Sequence, residues 1–245
     1  PATVFVLFLA IWQGVTVAFA LPAYLLPGPG EVAQAGLERS HELVTAAALT
    51  AAGAVGGLTL SLVVGVMVAL LFAQSRHIER SLYPYAIFLQ TVPIIAIAPI
   101  IILWFGTGFR SVVIIAFILS VFPIITNTTA GLTSVDRSLI DLFRVYNASR
   151  FQVLWKLRLP HALPFLVTGL KISSGLSVIG AIVGEFFAGF GARHHGLGYV
   201  IILTSGQLKT AALFSAIFTA TLTGMAIFGA VTLLGDALVS RWQNR

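Results

Sequence analysis

Residues 43–75 read LVTAAALTAAGAVGGLTLSLVVGVMVALLFAQS, 33 residues between Glu42 and Arg76 without one charge. About 20 apolar residues in helical form cross a bilayer core, so this stretch alone is long enough. It is not isolated. Uncharged runs of 29, 25 and 26 residues separate Arg80 from Arg110, Arg110 from Asp136 and Lys209 from Asp236, and no charge precedes Glu31. Of the 245 residues, 58% are hydrophobic and 9% charged, with a mean hydropathy of +1.00; a soluble domain carries about 25% charged residues. The chain reads as an all-α polytopic membrane protein. A single interfacial amphipathic anchor would not supply several spans, and a membrane β-barrel would alternate over segments of about 10 residues. The absence of cysteine excludes disulfides, thiolate metal sites and cysteine nucleophiles.

Turn and charge signals divide the chain into six expected spans forming one domain over 1–245. The first, from about Thr3 to Leu26, stops at Leu26-Pro27-Gly28-Pro29-Gly30. The others run from about Ala47 to Ala73, Leu82 to Phe105, Ser111 to Leu132, Ala162 to Phe187 and Ala211 to Val239. A polar stretch, Glu31 to Glu42, follows the first span, and a glycine-rich loop around Gly189, Gly191, Gly196 and Gly198 precedes the last. Even span number puts both termini on one side. The face holding the loops after spans two and four plus the C-terminus collects Arg76, Arg80, Arg137, Arg144, Arg150, Lys156, Arg158, Arg241 and Arg245; the other has Arg39, Arg110, Arg193 and Lys209. Basic residues favour cytoplasmic loops, so both termini and the 133–160 loop are expected in the cytosol. The same bias accounts for the net charge of +6 without nucleic acid. No basic flank or small-residue cleavage site marks the apolar opening as a signal peptide, and a native start is expected upstream of Pro1.

The 133–160 loop has a pattern of its own. From Ser138 to Arg150, apolar Leu139, Leu142, Phe143 and Tyr146 recur at helical spacing with basic residues between them. A short amphipathic helix outside the bilayer seats its stripe on a partner protein, on the membrane surface or back on the bundle.

The stretch Asp141-Leu142-Phe143-Arg144-Val145-Tyr146-Asn147, followed after nine residues by Leu157-Arg158-Leu159-Pro160, resembles the signature loop of bacterial ABC importer permeases. That loop reads Glu-Ala-Ala, three residues, Gly, nine residues, Ile, any residue, Leu-Pro. The spacing matches in full. Asp141 replaces Glu, Leu142 and Phe143 the two Ala, Asn147 the Gly and Leu157 the Ile; Asn also tolerates the left-handed turn that Gly would make. Pro84 through Gly108, Phe122-Pro123, Leu159 through Pro164 and Gly196-Leu197-Gly198-Tyr199 are similar to the nitrate, sulfonate and taurine branch. Val178 through Phe186 looks most like importers of thiamine-precursor pyrimidines or riboflavin.

The resemblance implies a type I importer of a small organic solute in the bacterial inner membrane. Two permease copies would form the pathway, with two ABC ATPase subunits below and an extracytoplasmic binding protein above. Residues 141–150 would be the coupling helix, with Asp141, Leu142, Phe143, Arg144, Tyr146, Asn147, Ala148, Ser149 and Pro160 serving the ATPase contact and Phe143 as its apolar anchor. ATP would be bound by those subunits and no cofactor by this chain, an expectation consistent with the lack of any Gly-Lys dipeptide for a phosphate loop.

Other residues are read from their own chemistry. Ionisable groups inside spans are functional candidates, and Lys171 and Glu185, 14 residues apart, share a face about 21 Å long with Ser174 and Val178. That face either lines the pathway, or Lys171 snorkels to the interface while Glu185 bonds a neighbouring loop. Gln90, Thr91 and Pro93 line the pathway or shape a kinked helix. Ser174 and Glu185 complete the pathway set. Asn127 and Thr128 are expected to join helices, His194-His195 to lie in a solvated loop, and Trp12, Trp104 and Trp242 to anchor at interfaces. An ion-coupled secondary transporter remains an alternative, although no inverted repeat is evident. A membrane enzyme would need a clustered acid, base or metal set, and the eight acids are scattered.

Overall fold

The computed structural model describes residues 2–189 and 195–243, which are helical with no strand among them. Helices long and apolar enough to cross a membrane occupy Ser40–Gln74, Phe109–Thr133, Arg150–Ala188 and Thr210–Arg241, matching four of the six expected spans. Their elements are α3 (Ser40–Gln74), α6 (Phe109–Thr133), α9 (Leu159–Ala188, entered through α8, Arg150–Val153, and a π-helical turn, Leu154–Arg158) and α11 (Thr210–Gln243).

The other two spans depart from expectation. The first, α1, covers only Ala2–Ala18 and not the expected reach to Leu26. Its end is closed by paired bonds, Leu21 N to Thr16 O at 3.1 Å and Ala20 N to Val17 O at 3.2 Å, with Ala20 at φ +47°. This is the Schellman arrangement, and Pro22 just beyond cannot rejoin the helix. The third is two helices, α4 (Arg76–Thr91) and α5 (Ile94–Phe105), parted at Val92-Pro93, where Val92 is extended at ψ 125°. Proline forces its predecessor out of the helical region.

Two segments expected as loops are helices. The polar stretch contains α2 (Pro29–Glu38), whose first turn is tied by Gly28 N donating to Glu31 Oε2 at 2.9 Å. The segment before the last span contains α10 (Leu197–Gly206), closed by Lys209 N to Thr204 O at 3.0 Å and Leu208 N to Ser205 O at 3.1 Å with Leu208 at φ +56°. The 133–160 loop is also shorter than expected, because Ser149 caps a new helix. Gln152 N donates to Ser149 Oγ at 3.3 Å and Ser149 N to Gln152 Oε1 at 2.8 Å, a capping box. Pro160 therefore sits inside a 39-residue helix from Arg150 to Ala188. Pro160 has no N–H, and in a regular α-helix its ring would press on the Lys156 carbonyl. The wider π turn over Leu154–Arg158 lies just where that conflict must be absorbed.

α6 runs between α3 and α9, and small residues set the spacing. A Cβ on Gly180 of α9 would stand 2.6 Å from the Ala116 Cα of α6, while Gly57 of α3 lies against the same alanine from the other side. Serines stitch the three helices at one level: Ser61 Oγ lies 2.7 Å from Ser120 Oγ, and Ser173 Oγ donates to Ser120 O at 2.6 Å. These serines, and not Asn127 and Thr128, join the helices at this level; Asn127 Nδ2 donates to Pro123 O of its own helix at 2.8 Å.

Overpacking a well-packed site costs about 1–3 kcal/mol. Gly180→Leu is therefore expected to lower the thermal midpoint of the purified protein. Gly229→Leu, where no heavy atom lies within 4 Å of a built Cβ, should leave the midpoint unchanged.

Candidate functional site

The candidate site has three parts: α7 (Arg137–Val145) at one end of the bundle, the α4–α5 break, and a buried polar cluster at the α10 end. α7 is a self-contained turn of helix. Asp136 caps its start by accepting from Ser138 N at 3.1 Å. Its end is a full Schellman closure, Ala148 N to Phe143 O at 3.0 Å and Asn147 N to Arg144 O at 2.9 Å, with Asn147 left-handed at φ +52°. Asparagine thus makes the turn that glycine makes in the signature loop. The helix spans 137–145 and not the expected 141–150; Ala148 falls in the turn, Ser149 caps the next helix and Pro160 lies in the first turn of α9.

No residue of α7 is buried. Leu139 (44% exposed), Leu142 (50%), Val145 (77%) and Tyr146 (78%) form the outward apolar stripe. The expected anchor, Phe143, is half-buried, and the more exposed apolar side chains are Leu142 and its neighbours. Asp141 and Arg144 form an exposed ion pair at 3.0 Å. Periodicity revealed the stripe but not which edge of it the chain would cover.

At the α4–α5 break, Gln90, Thr91 and Pro93 are all exposed. Thr91 Oγ1 donates to Phe88 O in the last turn of α4 at 2.9 Å. The structure groups these three and separates them from Ser174 and Glu185. On the α9 face, Ser174, Val178 and Glu185 are all buried within this chain. Ser174 Oγ donates to Lys171 O at 2.7 Å.

Glu185 is the polar centre of the α10 end. Its Oε2 accepts from Gly198 N at 2.8 Å and Thr50 Oγ1 at 2.9 Å, while Leu197 N donates to that same Thr50 Oγ1 at 2.9 Å. Two of the four orphan N–H groups at the start of α10 are thereby satisfied, with a carboxylate at the positive end of the helix dipole. The side chain bonds a neighbouring element, the second reading given above. Sequence reasoning missed a further pair: Lys171 Nζ meets Asp236 Oδ1 at 2.7 Å, joining α9 to α11. The signal was present, since Asp236 stands inside the expected sixth span.

Of the tryptophans, Trp12 packs against Phe214 and Phe218 with ring centroids 5.8 and 6.0 Å apart, and Trp104 is exposed. His194 and the Trp242 side chain lie outside the described residues; His195 stacks on Tyr199 at 4.0 Å. No group of three or more His, Cys, Asp or Glu able to hold a metal occurs among the described residues.

The family model for the binding-protein-dependent transport system inner membrane component matches residues 61–244. The formylaminopyrimidine transport permease protein ThiX of Halalkalibacterium halodurans is 35% identical over all of this chain and 96% of its own length. The riboflavin transport system permease protein RibX of Chloroflexus aurantiacus is 35% identical over 99% of this chain and 89% of its own. An aliphatic sulfonates permease, SsuC of Bacillus subtilis, is described as putative and is 30% identical over 96% of this chain and 84% of its own. Among solved structures, an inward-facing MetNI methionine ABC transporter chain aligns with a TM-score of 0.67 at 20% identity, over 84% of this chain and 98% of that one, a likeness of fold. The chain belongs to the binding-protein-dependent transport system inner membrane components, the multi-pass permease subunits of ABC importers for small solutes.

Proposed function

We propose that this permease passes a small heteroaromatic solute, a pyrimidine or flavin precursor, between two copies of itself, driven by ABC ATPase subunits that grip α7. The observation that carries the reading is the apolar stripe of Leu139, Leu142, Val145 and Tyr146, left uncovered by its own chain on a rigidly capped helix. A helix presenting anchors at such spacing is suited to a groove in a partner protein. The α7 end is assigned to the cytosol on the basic-residue bias, with an extracytoplasmic binding protein delivering solute at the α10 end. ATP binding and hydrolysis belong to the ATPase subunits, and no cofactor is assigned to this chain.

The pathway is placed at the α4–α5 break. Irregular backbone at membrane depth is tolerated only where it is covered by protein or lines a water-filled cavity, and Gln90, Thr91 and Pro93 are left exposed by their own chain. Facing a second copy across an aqueous path meets that requirement; facing lipid does not. The heteroaromatic substrate class is favoured by the pyrimidine and riboflavin relatives, each matched over nearly the whole chain.

Leu142→Asp would place an unpaired carboxylate in the ATPase contact. It is expected to weaken ATPase association about a hundredfold, roughly 3 kcal/mol, with a smaller effect from Phe143→Asp; co-purification and uptake in proteoliposomes measure both. Equal binding by wild type and Leu142→Asp would refute the docking face.

Asn147→Gly should preserve coupling. Asn147→Val, which incurs about 1–2 kcal/mol in the left-handed region, should reduce ATP-driven uptake and speed hydrogen exchange over residues 137–148.

Because the chain has no cysteine, Gln90→Cys introduces the single thiol. Oxidation of the assembled transporter is expected to trap a disulfide-linked pair and block uptake, reversed by reductant, whereas Gly229→Cys should not cross-link. Failure of Gln90→Cys to link in any nucleotide state would move the pathway elsewhere.

A further inference from the structure

Behind α7 lies a groove of about 1160 Å³, bounded by the end of α3, the start of α4, the end of α6 and the inner face of α7. Four arginines line it: Arg80 from α4, Arg137 and Arg144 from α7, and Arg158 from the π turn. Two acids, Glu79 and Asp141, share the lining, and Asp141 is already paired with Arg144 at 3.0 Å. Arg80 and Arg137 form no ion pair among the described residues.

Arg158 adds a second, independent sign. Its Nη1 donates to Ala73 O at 3.1 Å, satisfying a carbonyl in the last turn of α3. Its Nε is buried and has no hydrogen-bond partner among the described residues. A buried guanidinium donor without an acceptor is costly, and this one lies in the wall of a groove with an excess of positive charge. Phe72, Tyr83, Pro84 and Val135 complete the wall with apolar surface. Arginine forks match phosphate oxygens in pairs, and basic pockets between membrane helices suit phospholipid head groups, whose chains lie along apolar surface.

We propose that this groove is a binding site for a phosphate-bearing anion, a phospholipid headgroup or free phosphate, that braces α7 against α4. One wall belongs to α7 and another to α4, so an occupant bridging them stabilises the conformation in which the two are held together. Such a brace would set how readily α7 moves. The inference goes beyond the transport reading, and its readout needs no ATPase, so either can fail without the other.

The test uses the full chain in nanodiscs of phosphatidylcholine, with and without phosphatidylglycerol, and in neutral discs titrated with inorganic phosphate. Hydrogen exchange over residues 137–148 is the measurement. At an anion concentration about ten times its Kd, exchange limited by opening of α7 is expected to slow about tenfold. Slowing by phosphatidylglycerol alone assigns the site to a headgroup, and slowing by phosphate in neutral discs assigns it to the free anion. The effect should vanish in the exposed-side-chain double variant Arg80→Gln, Arg137→Gln and persist in Arg241→Gln, a basic residue in the last turn of α11 outside the groove. No slowing by either anion overturns the proposal, as does slowing that survives the double variant or is equally lost in Arg241→Gln. No anion response together with weakened ATPase association in the double variant would assign the groove to the ATPase and likewise overturn it.

Discussion

Hydrocarbon offers a backbone no hydrogen bonds, so every helix that stops within or beside the bilayer must be closed by the protein itself. This chain meets the constraint repeatedly by one device. The ends of α1, α7 and α10 are each closed by the same pair of crossed backbone bonds, with Ala20, Asn147 and Leu208 in the left-handed region. Two of these are residues that resist that conformation at a cost of about 1–2 kcal/mol, which the paired backbone bonds offset. The start of α10 needs the opposite remedy, an acceptor for free N–H groups, and Glu185 with Thr50 provides it from α9 and α3. Gly196 follows from that arrangement, because a side chain there would occupy the space of the carboxylate.

The same solvent also changes what holds helices together. Lipid tails are as apolar as leucine, so association depends on close packing and on polar contacts between helices. The Gly57–Ala116–Gly180 sandwich brings three backbones together, and Ser61, Ser120 and Ser173 bond across the same level. Large apolar side chains are largely turned outward: Val55, Leu60, Val63, Met67 and Leu71 stand exposed along α3. A soluble bundle would bury that stripe.

The class of fold was legible from its long uncharged runs, and α3, α6 and α11 each hold one of 25 residues or more; α9, which carries Lys171 and Glu185, was legible from its apolar composition despite those two charges. Helix ends were less legible, since they depend on where crossed bonds form and not on hydropathy: Pro22 was the one stop signal in the apolar stretch Phe19–Leu26, and hydropathy alone carried the expected span past it. The short α10 was hidden because Leu197–Gly206 is too brief to span and follows a glycine-rich stretch that reads as loop. Asn147 was legible, being a residue that tolerates the turn its spacing demanded. The two faces of α7 were not separable, because a stripe that wraps partly onto its own bundle has the same period as one that is wholly free. Ser174 and Glu185 were ambiguous in the sequence for a related reason. Polar residues in a span mark either a pathway or a packing contact, and only the neighbouring α3 and α10 distinguish the two.

In the proposed cycle, α7 has to transmit displacement to the far side of the membrane, and its connections make that physically economical. Asn147 ends α7 and, two residues later, Ser149 begins the 39-residue helix that reaches Ala188, about 58 Å of continuous helix. Near its far end Glu185 is bonded to α10, so the rod joins the α7 end to a short helix at the opposite end through backbone and one carboxylate. The turn between the caps is too short to absorb much movement. The π turn at Leu154–Arg158 interrupts the regular helical ladder near the start of the rod, and π turns recur at functional sites. Arg158 ends that turn and also holds the Ala73 carbonyl of α3. A rotation at the π turn would therefore be felt by α3 and α9 together, the two helices that clasp α6.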